Sequence, residues 1–260
     1  MILVERRNKI KHILKEKRSV KVADLVKEFK VSEETIRRDL SSLEKDGLVQ
    51  KNYGGAILTE DLSMDFSLIP PVGQRQFHFS KEKDKIGKAA AELVKDNQIV
   101  IMDAGSTTWY SARHLKNVEN LMVISNALNV VEEVSKNDSI SIYLLGGKLK
   151  RNSMSVFGPQ TETELEKYNA DYVFLGTSGI SKNQGFTTSD LYEAEIKQAM
   201  VAAGEKKVLL ADHSKLKRPG LISFCSFSDI DILITSELAD KQVLKAIEKC
   251  GVEIIVCEVD

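Results

Sequence analysis

Apolar residues first recur at helical spacing and later, from about position 98, gather into continuous runs. Within residues 5–16, Ile10, Ile13 and Leu14 fall on one face among lysines and arginines, which predicts a helix. SVKV (19–22) alternates briefly, as a short strand does. ADLVKEF (23–29) resumes the helical period through Leu25, Val26 and Phe29. After the break Lys30-Val31-Ser32, the segment VSEETIRRDL opens a second helix. Ser32 is its N-cap, and Glu33 and Glu34 suit the positive end of its dipole. Ile36, Leu40 and Leu43 form its inner face, and Gly47 is its stop. LVQKNYGGAIL (48–58) then reads as a hairpin turning at or near Gly54-Gly55.

From 58 to 74 the period lapses around Pro70-Pro71, which predicts a linker. Beyond it, seven apolar runs are QIVIMD (98–103), LMVIS (121–125), SIYLLGG (141–147), YVFLG (172–176), KVLLAD (207–212), DILIT (231–235) and EIIVC (253–257). Helical patterns such as 86–94, 127–136, 194–203 and 241–249 lie between many of them. Continuous strands alternating with helices predict a mostly parallel sheet covered on both faces. The expected organisation is therefore a small head over 1–57, a linker over 58–74 and a larger α/β domain over 75–260.

Charge sharpens the division. The chain of 260 residues has a net charge of −1, yet residues 1–59 carry 14 Lys and Arg against 9 Asp and Glu. The remainder holds 23 against 29. A basic head on an acidic body points to a polyanion that meets the head alone. No apolar run nears the length of a membrane span, and Met1 leads into charged residues, so a cytoplasmic protein is expected. Three cysteines form no CxxC pair, and four histidines lie scattered. Neither a disulfide framework, a metal site nor a cofactor is expected.

Helix, tight break, capped helix and hairpin are the layout of a winged helix-turn-helix, whose second helix enters the DNA major groove. With Ile36, Leu40 and Leu43 inward, Thr35, Arg37, Arg38 and Ser41 share the outer side. An arginine fork can grip guanine or phosphate there. The competing reading is surface pairing, since Glu33 and Glu34 stand four residues before Arg37 and Arg38. Asp39 would repel phosphate and is expected to hold an arginine or a backbone group instead.

In the larger domain, DAGSTTW (103–109) follows a strand and opens a helix, so its amides and hydroxyls can hold an anion. Asn126, Gly146-Gly147-Lys148 and Asp212-His213-Ser214-Lys215 end three other strands. In a parallel sheet these ends gather on one rim. That rim suits a phosphorylated, hydroxyl-rich small molecule: lysine meets phosphate, and Asp103, Asn126 and Asp212 bind hydroxyls.

VSEETIRRDLSSLEKDG followed by YGGA, with ERRNKIKHIL and VADLVKEFKVS before it, resembles the head of the DeoR family of bacterial sugar-metabolism regulators. The resemblance runs through the whole chain. It implies phosphate contact by Ser32, groove contacts by Thr35, Arg37 and Arg38, and a wing bearing Lys51 and Tyr53, where family members often carry arginine and histidine. It also implies a body similar to the ribose-phosphate isomerase and CoA-transferase-like fold. Gly105, Ser106, Thr107 and Thr108 would lie in its phosphate loop, and Lys215 would close the site. An upstream arginine and lysine are matched by Arg75 and Lys83 or Lys85, and a later glutamate and lysine by Glu193 or Glu195 and Lys197. The expectation is an operator-binding repressor, homo-oligomeric, responding to a phosphosugar. The alternatives are an isomerase using Asp103, Asp212 and Lys215, and a DNA binder without effector control.

Overall fold

The computed structural model describes residues 3–17, 19–45, 49–52, 54–58, 70–116 and 118–259. Tyr53, Gly47 and most of the expected linker lie outside them. The chain forms two compact units, Met1–Pro70 with Phe77–Phe79, and Pro71–Gln76 with Ser80–Asp260.

The first unit holds α1 (Leu3–Lys17), β1 (Ser19–Lys21), α2 (Val22–Phe29), α3 (Glu33–Lys45), β2 (Val49–Asn52) and β3 (Gly55–Leu58). Ile10, Leu14, Leu25, Ile36, Leu40 and Leu43 close its core. The break between α2 and α3 is tight because Lys30 turns left-handed (φ 52°) and its N–H returns to Val26 O. Ser32 then caps α3 through its Oγ, which accepts from Thr35 N at 3.2 Å. The expected hairpin is joined by SVK, giving a three-stranded antiparallel sheet in the order β1-β3-β2. The two glycines of YGGA have separate reasons. Gly54 needs φ +90°, and a Cβ on Gly55 would lie 2.2 Å from Val20 O of β1.

The second unit opens with the short α4 (Val72–Arg75) and α5 (Ser80–Ala91), and the seven apolar runs form one parallel sheet. These strands are β4 (Ile99–Met102), β5 (Met122–Ser125), β6 (Ser141–Leu144), β9 (Ala170–Gly176), β12 (Gly204–Leu210), β14 (Ile232–Ser236) and β15 (Glu253–Cys257). Their order is β15-β14-β12-β9-β4-β5-β6. The inner runs are continuous because both faces are covered, while the edge strands β6 and β15 keep exposed positions. Ile101, Ile124, Leu175, Leu209 and Leu233 pack with α8 (Pro159–Leu165), α9 (Leu191–Ala202) and α10 (Lys241–Glu248). Val100, Val123, Phe174, Val208 and Ile234 pack with α5, α6 (Ser106–His114) and α7 (Leu128–Val134).

Two small additions were not legible as strands: the hairpin β7 (Lys148–Lys150) and β8 (Ser155–Phe157), and a sheet of β10 (Gly179–Ser181), β11 (Gly185–Thr188) and β13 (Ile222–Cys225). The chain runs outward from β4 to β6 and then crosses back to β9 on the other side of β4. The strand order therefore reverses between β4 and β9, the place where open α/β sheets receive ligands.

Candidate functional site

At that reversal, β4 delivers Asp103 and β9 delivers Gly176. Asp103 is buried and its acceptor capacity is filled. Oδ1 accepts from Gly105 N (2.7 Å) and Thr108 Oγ1 (2.6 Å), and Oδ2 accepts from Gly176 N (2.7 Å) and from Lys197 Nζ of α9. Lys197 Nζ also donates to Gly176 O at 2.9 Å. Burial pushes the Asp103 carboxyl upward, but the Lys197 ammonium and these hydrogen bonds outweigh it and hold the pKa below the usual range. The residue expected to receive a ligand hydroxyl is instead the strut of the 103–108 loop. Gly105 is obligatory in that loop, since a Cβ would sit 2.7 Å from Thr108 Oγ1 and 2.8 Å from Asp103 Oδ1. Ser106, Thr107 and Thr108 are buried in the first turn of α6.

Asn126, after β5, lines a pocket shared with Asp103, Lys150, Phe157, Tyr192 and Glu193. Its Nδ2 donates to Val156 O (2.9 Å), and Val156 N donates to Asn126 O (2.8 Å), which docks the β7–β8 hairpin over the pocket. Gly146 and Gly147 serve another purpose: Thr161 Oγ1 of α8 donates to Gly146 O (2.6 Å), and a Cβ on Gly147 would strike that hydroxyl. Lys148 is exposed above the Phe157 ring. Lys150, two residues on, is the hairpin lysine that lines the pocket, paired to Asp190 at 3.2 Å. Lys150, Phe157 and Tyr192 escaped the sequence reading, because nothing in KLKRNSMSVFG shows that it folds back as a hairpin.

Beyond β12, Asp212 is fully buried. Its Oδ1 accepts from Ser214 N (3.1 Å) and Ser214 Oγ, while Oδ2 lies 3.8 Å from Lys83 Nζ, beyond hydrogen-bonding reach. Lys83 donates to Arg75 O at 2.6 Å. Of the paired alternatives, Lys83 is buried and Lys85 exposed, and Glu193 lines the pocket. Arg75 feels Glu193, Asp103 and Asp212, so the Asp212 cluster and the pocket are electrostatically continuous. Burial, relieved in part by Asp212, lowers Lys83 to about 8, and burial likewise depresses Lys215. Asp212 stays below the usual carboxylate range because Lys215 and Lys83 overcome its burial. Of the seven buried side-chain atoms without a hydrogen-bond partner among the described residues, three belong to this group: Asn126 Oδ1, Asp212 Oδ2 and Arg75 Nε.

Glu82, Asp212 and His213 also come together. They do not suit a metal. Glu82 accepts from His213 N (2.7 Å) and Ser236 Oγ (2.6 Å) and pairs with His213 Nδ1 (2.9 Å), while Lys83 and Lys215 oppose a cation.

In the first unit, Ser32, Arg37 and Arg38 are exposed on α3, with Thr35 half-buried beside them. Both expected surface pairs form, Arg37–Glu33 at 2.5 Å and Arg38–Glu34 at 2.7 Å. Ser41 donates to Arg37 O (2.7 Å) and accepts from Lys51 Nζ of β2 (2.9 Å), so these two residues first tie the wing to α3.

Residues 6–61 match the DeoR-like helix-turn-helix domain, and residues 78–237 match the DeoR C terminal sensor domain. The chain belongs to the DeoR family. It is 34% identical over 260 residues to the HTH-type transcriptional regulator GolR of Listeria innocua, covering 99% of this chain and 100% of that protein. It is 33% identical over 256 residues to the HTH-type transcriptional repressor GlcR of Bacillus subtilis, covering 98% and 97%. Among solved structures, ribose 5-phosphate isomerase A of Methanocaldococcus jannaschii aligns at 19% identity with a TM-score of 0.38, over 52% of this chain and 53% of that one. This DeoR-family chain is a DNA-binding transcriptional regulator rather than an enzyme, which sets aside an isomerase built on Asp103, Asp212 and Lys215. Among the described residues no helix is long and apolar enough to cross a membrane.

Proposed function

We propose that the α/β unit binds a phosphorylated sugar or a related intermediate, and that this effector alters the grip of the head on operator DNA. The cations and the unpartnered buried polar atoms beside the sheet reversal carry the reading. Three cations, the buried Lys83 and the half-buried Arg75 and Lys215, gather around Asp212. A phosphate meets these cations, assisted by the amides of Ser106, Thr107 and Thr108 at the start of α6. Sugar hydroxyls supply donors to Asn126 Oδ1 and Asp212 Oδ2, and an ester or hydroxyl oxygen accepts from Arg75 Nε. On the DNA side, Ser32 meets phosphate, Thr35, Arg37 and Arg38 enter the groove, and Lys51 retains one donor for the backbone. The protein acts in the cytoplasm as a homo-oligomeric repressor of a sugar or sugar-phosphate operon, because one recognition helix reads only one half-site.

Lys215→Ala is expected to weaken effector binding about tenfold or more while sparing operator affinity. Calorimetry with a panel of sugar phosphates and their unphosphorylated parents measures it, and a parent sugar binding as well as its ester would sink the phosphate reading. Because Lys83 is held near 8, binding the anion above that pH must draw in a proton. Effector affinity should therefore fall as pH rises past about 8.

The same contacts suggest how binding reaches the connecting segment. Asn126 docks the β7–β8 hairpin, and Asn152 O of that hairpin accepts from Val72 N at 2.8 Å. Val72 is buried at the first position of α4, where proline is tolerated. Val72→Pro should thus delete this one hydrogen bond and reduce effector control of operator affinity, with effector affinity itself unchanged. Val72→Ala keeps the N–H and should keep the control. Equal control in Val72→Pro and wild type would rule out this route.

A further inference from the structure

We propose that Asp39 is a positioning residue for operator recognition, setting the roll of α3 through Arg6 and Arg7 without touching DNA. Although it follows Arg37 and Arg38 directly, Asp39 is 1% exposed. Both its oxygens are engaged from α1: Oδ2 by Arg6 Nε at 2.5 Å and Oδ1 by Arg7 Nε at 3.0 Å. Arg7 Nη1 also donates to Ser42 Oγ at 2.8 Å, so α1 grips α3 at two positions three residues apart. On another flank, Lys51 of β2 donates its N–H to Glu44 Oε1 (3.0 Å) and pairs through Nζ with Glu44 Oε2 (3.1 Å) and Ser41 Oγ (2.9 Å). The recognition helix is thus braced by polar contacts to the helix before it and the strand after it.

Beneath it lie Ile36, Leu40 and Leu43. Their burial fixes how deeply α3 sits, but apolar contact is non-directional and tolerates rotation about the helix axis. The charge-assisted hydrogen bonds from Arg6 and Arg7, one to each Asp39 oxygen, are directional and do not. A buried ion pair adds little net stability over apolar residues of similar volume, so stability alone does not account for this one. What it supplies is geometry. Arg37 and Arg38, adjacent to Asp39 on the same turn, must meet base edges within hydrogen-bond tolerance, and a small rotation of α3 displaces both fork tips.

The test uses the full-length protein and a duplex selected by the wild-type protein from a random pool, with a scrambled duplex of equal composition as reference. Two variants are compared: Asp39→Asn, and the double variant Arg6→Met/Asp39→Leu, in which apolar side chains replace the pair and stability should be retained. Both are expected to lose about tenfold or more in affinity for the selected duplex. Affinity for the scrambled duplex, and the slope of log affinity against log salt on it, should stay at wild-type values, because the phosphate contacts remain. Two results would overturn the proposal. One is a folded double variant with the wild-type ratio of selected to scrambled binding. The other is a parallel loss on both duplexes accompanied by a lowered melting temperature, which would make Asp39 merely structural.

Discussion

Lys197→Ala is expected to destabilise the α/β unit by about 3–5 kcal/mol at neutral pH, because it leaves the Asp103 carboxylate charged, buried and short of its strongest partner. Asp103 joins the 103–108 loop to Gly176, so the loss should reach β4, β9 and α6 together rather than stay local. The pH dependence identifies the cause. In the wild type the Asp103 pKa is depressed, so its contribution is present above the unfolded value of about 3.9 and is lost as pH falls through the lower folded value. Without the ammonium, burial dominates and raises the folded pKa above the unfolded one. The variant then gains relative stability as Asp103 takes up a proton. Urea denaturation at pH 7 and at pH 4 should show the gap between the two proteins narrowing toward acid. A loss below about 1 kcal/mol, or a gap constant with pH, would mean that Lys197 is not what keeps Asp103 charged.

Asp103 also marks where the sequence stops being legible. A carboxylate after an apolar run, followed by Gly-Ser-Thr-Thr, announces a ligand loop, and the structure does place that loop at the sheet reversal. The residue that fills Asp103 lies 94 positions away on α9. The glutamate engaging His213 lies 131 positions before it. Spacing along the chain carries no trace of such pairings, so a strut and a ligand contact look alike. The strands were readable for the opposite reason. The inner strands are buried on both faces over most of their length, so each carries a continuous apolar run that needs no knowledge of its neighbours, and the more exposed edge strands β6 and β15 keep such runs as well. The β7–β8 hairpin and the β10-β11-β13 sheet are built from strands of only three or four residues, several of them polar or glycine, and tertiary pairing alone decides their state. In the head, the cap, break and inner face of α3 were local features and were legible. That SVK would join the wing depended on Gly55 letting β1 approach, a contact 35 residues apart.

The double variant Arg37→Ala/Arg38→Ala is expected to weaken operator binding by about 2–6 kcal/mol, taking 1–3 kcal/mol for each bidentate base contact. Both arginines already have partners, and the outcome turns on how firmly. Their side chains are 59% and 78% exposed, and the glutamates opposite are comparably open. Exposed i,i+4 pairs contribute only about 0.3–0.5 kcal/mol, so the forks can leave Glu33 and Glu34 for a guanine edge or a phosphate at little cost. Asp39 offers no such exchange: it is buried and held by α1, which leaves Arg37 and Arg38 as the movable positive charges on this part of α3. The effector binding we propose for the other unit should be unchanged in the double variant. Anisotropy titrations at several salt concentrations separate the two kinds of contact. Loss of phosphate contacts flattens the salt slope and weakens all sequences alike, whereas loss of base contacts spares the slope and lowers selected over scrambled binding. Wild-type operator affinity in the double variant would show that the arginines only pair with Glu33 and Glu34, and that α3 reads DNA through other side chains.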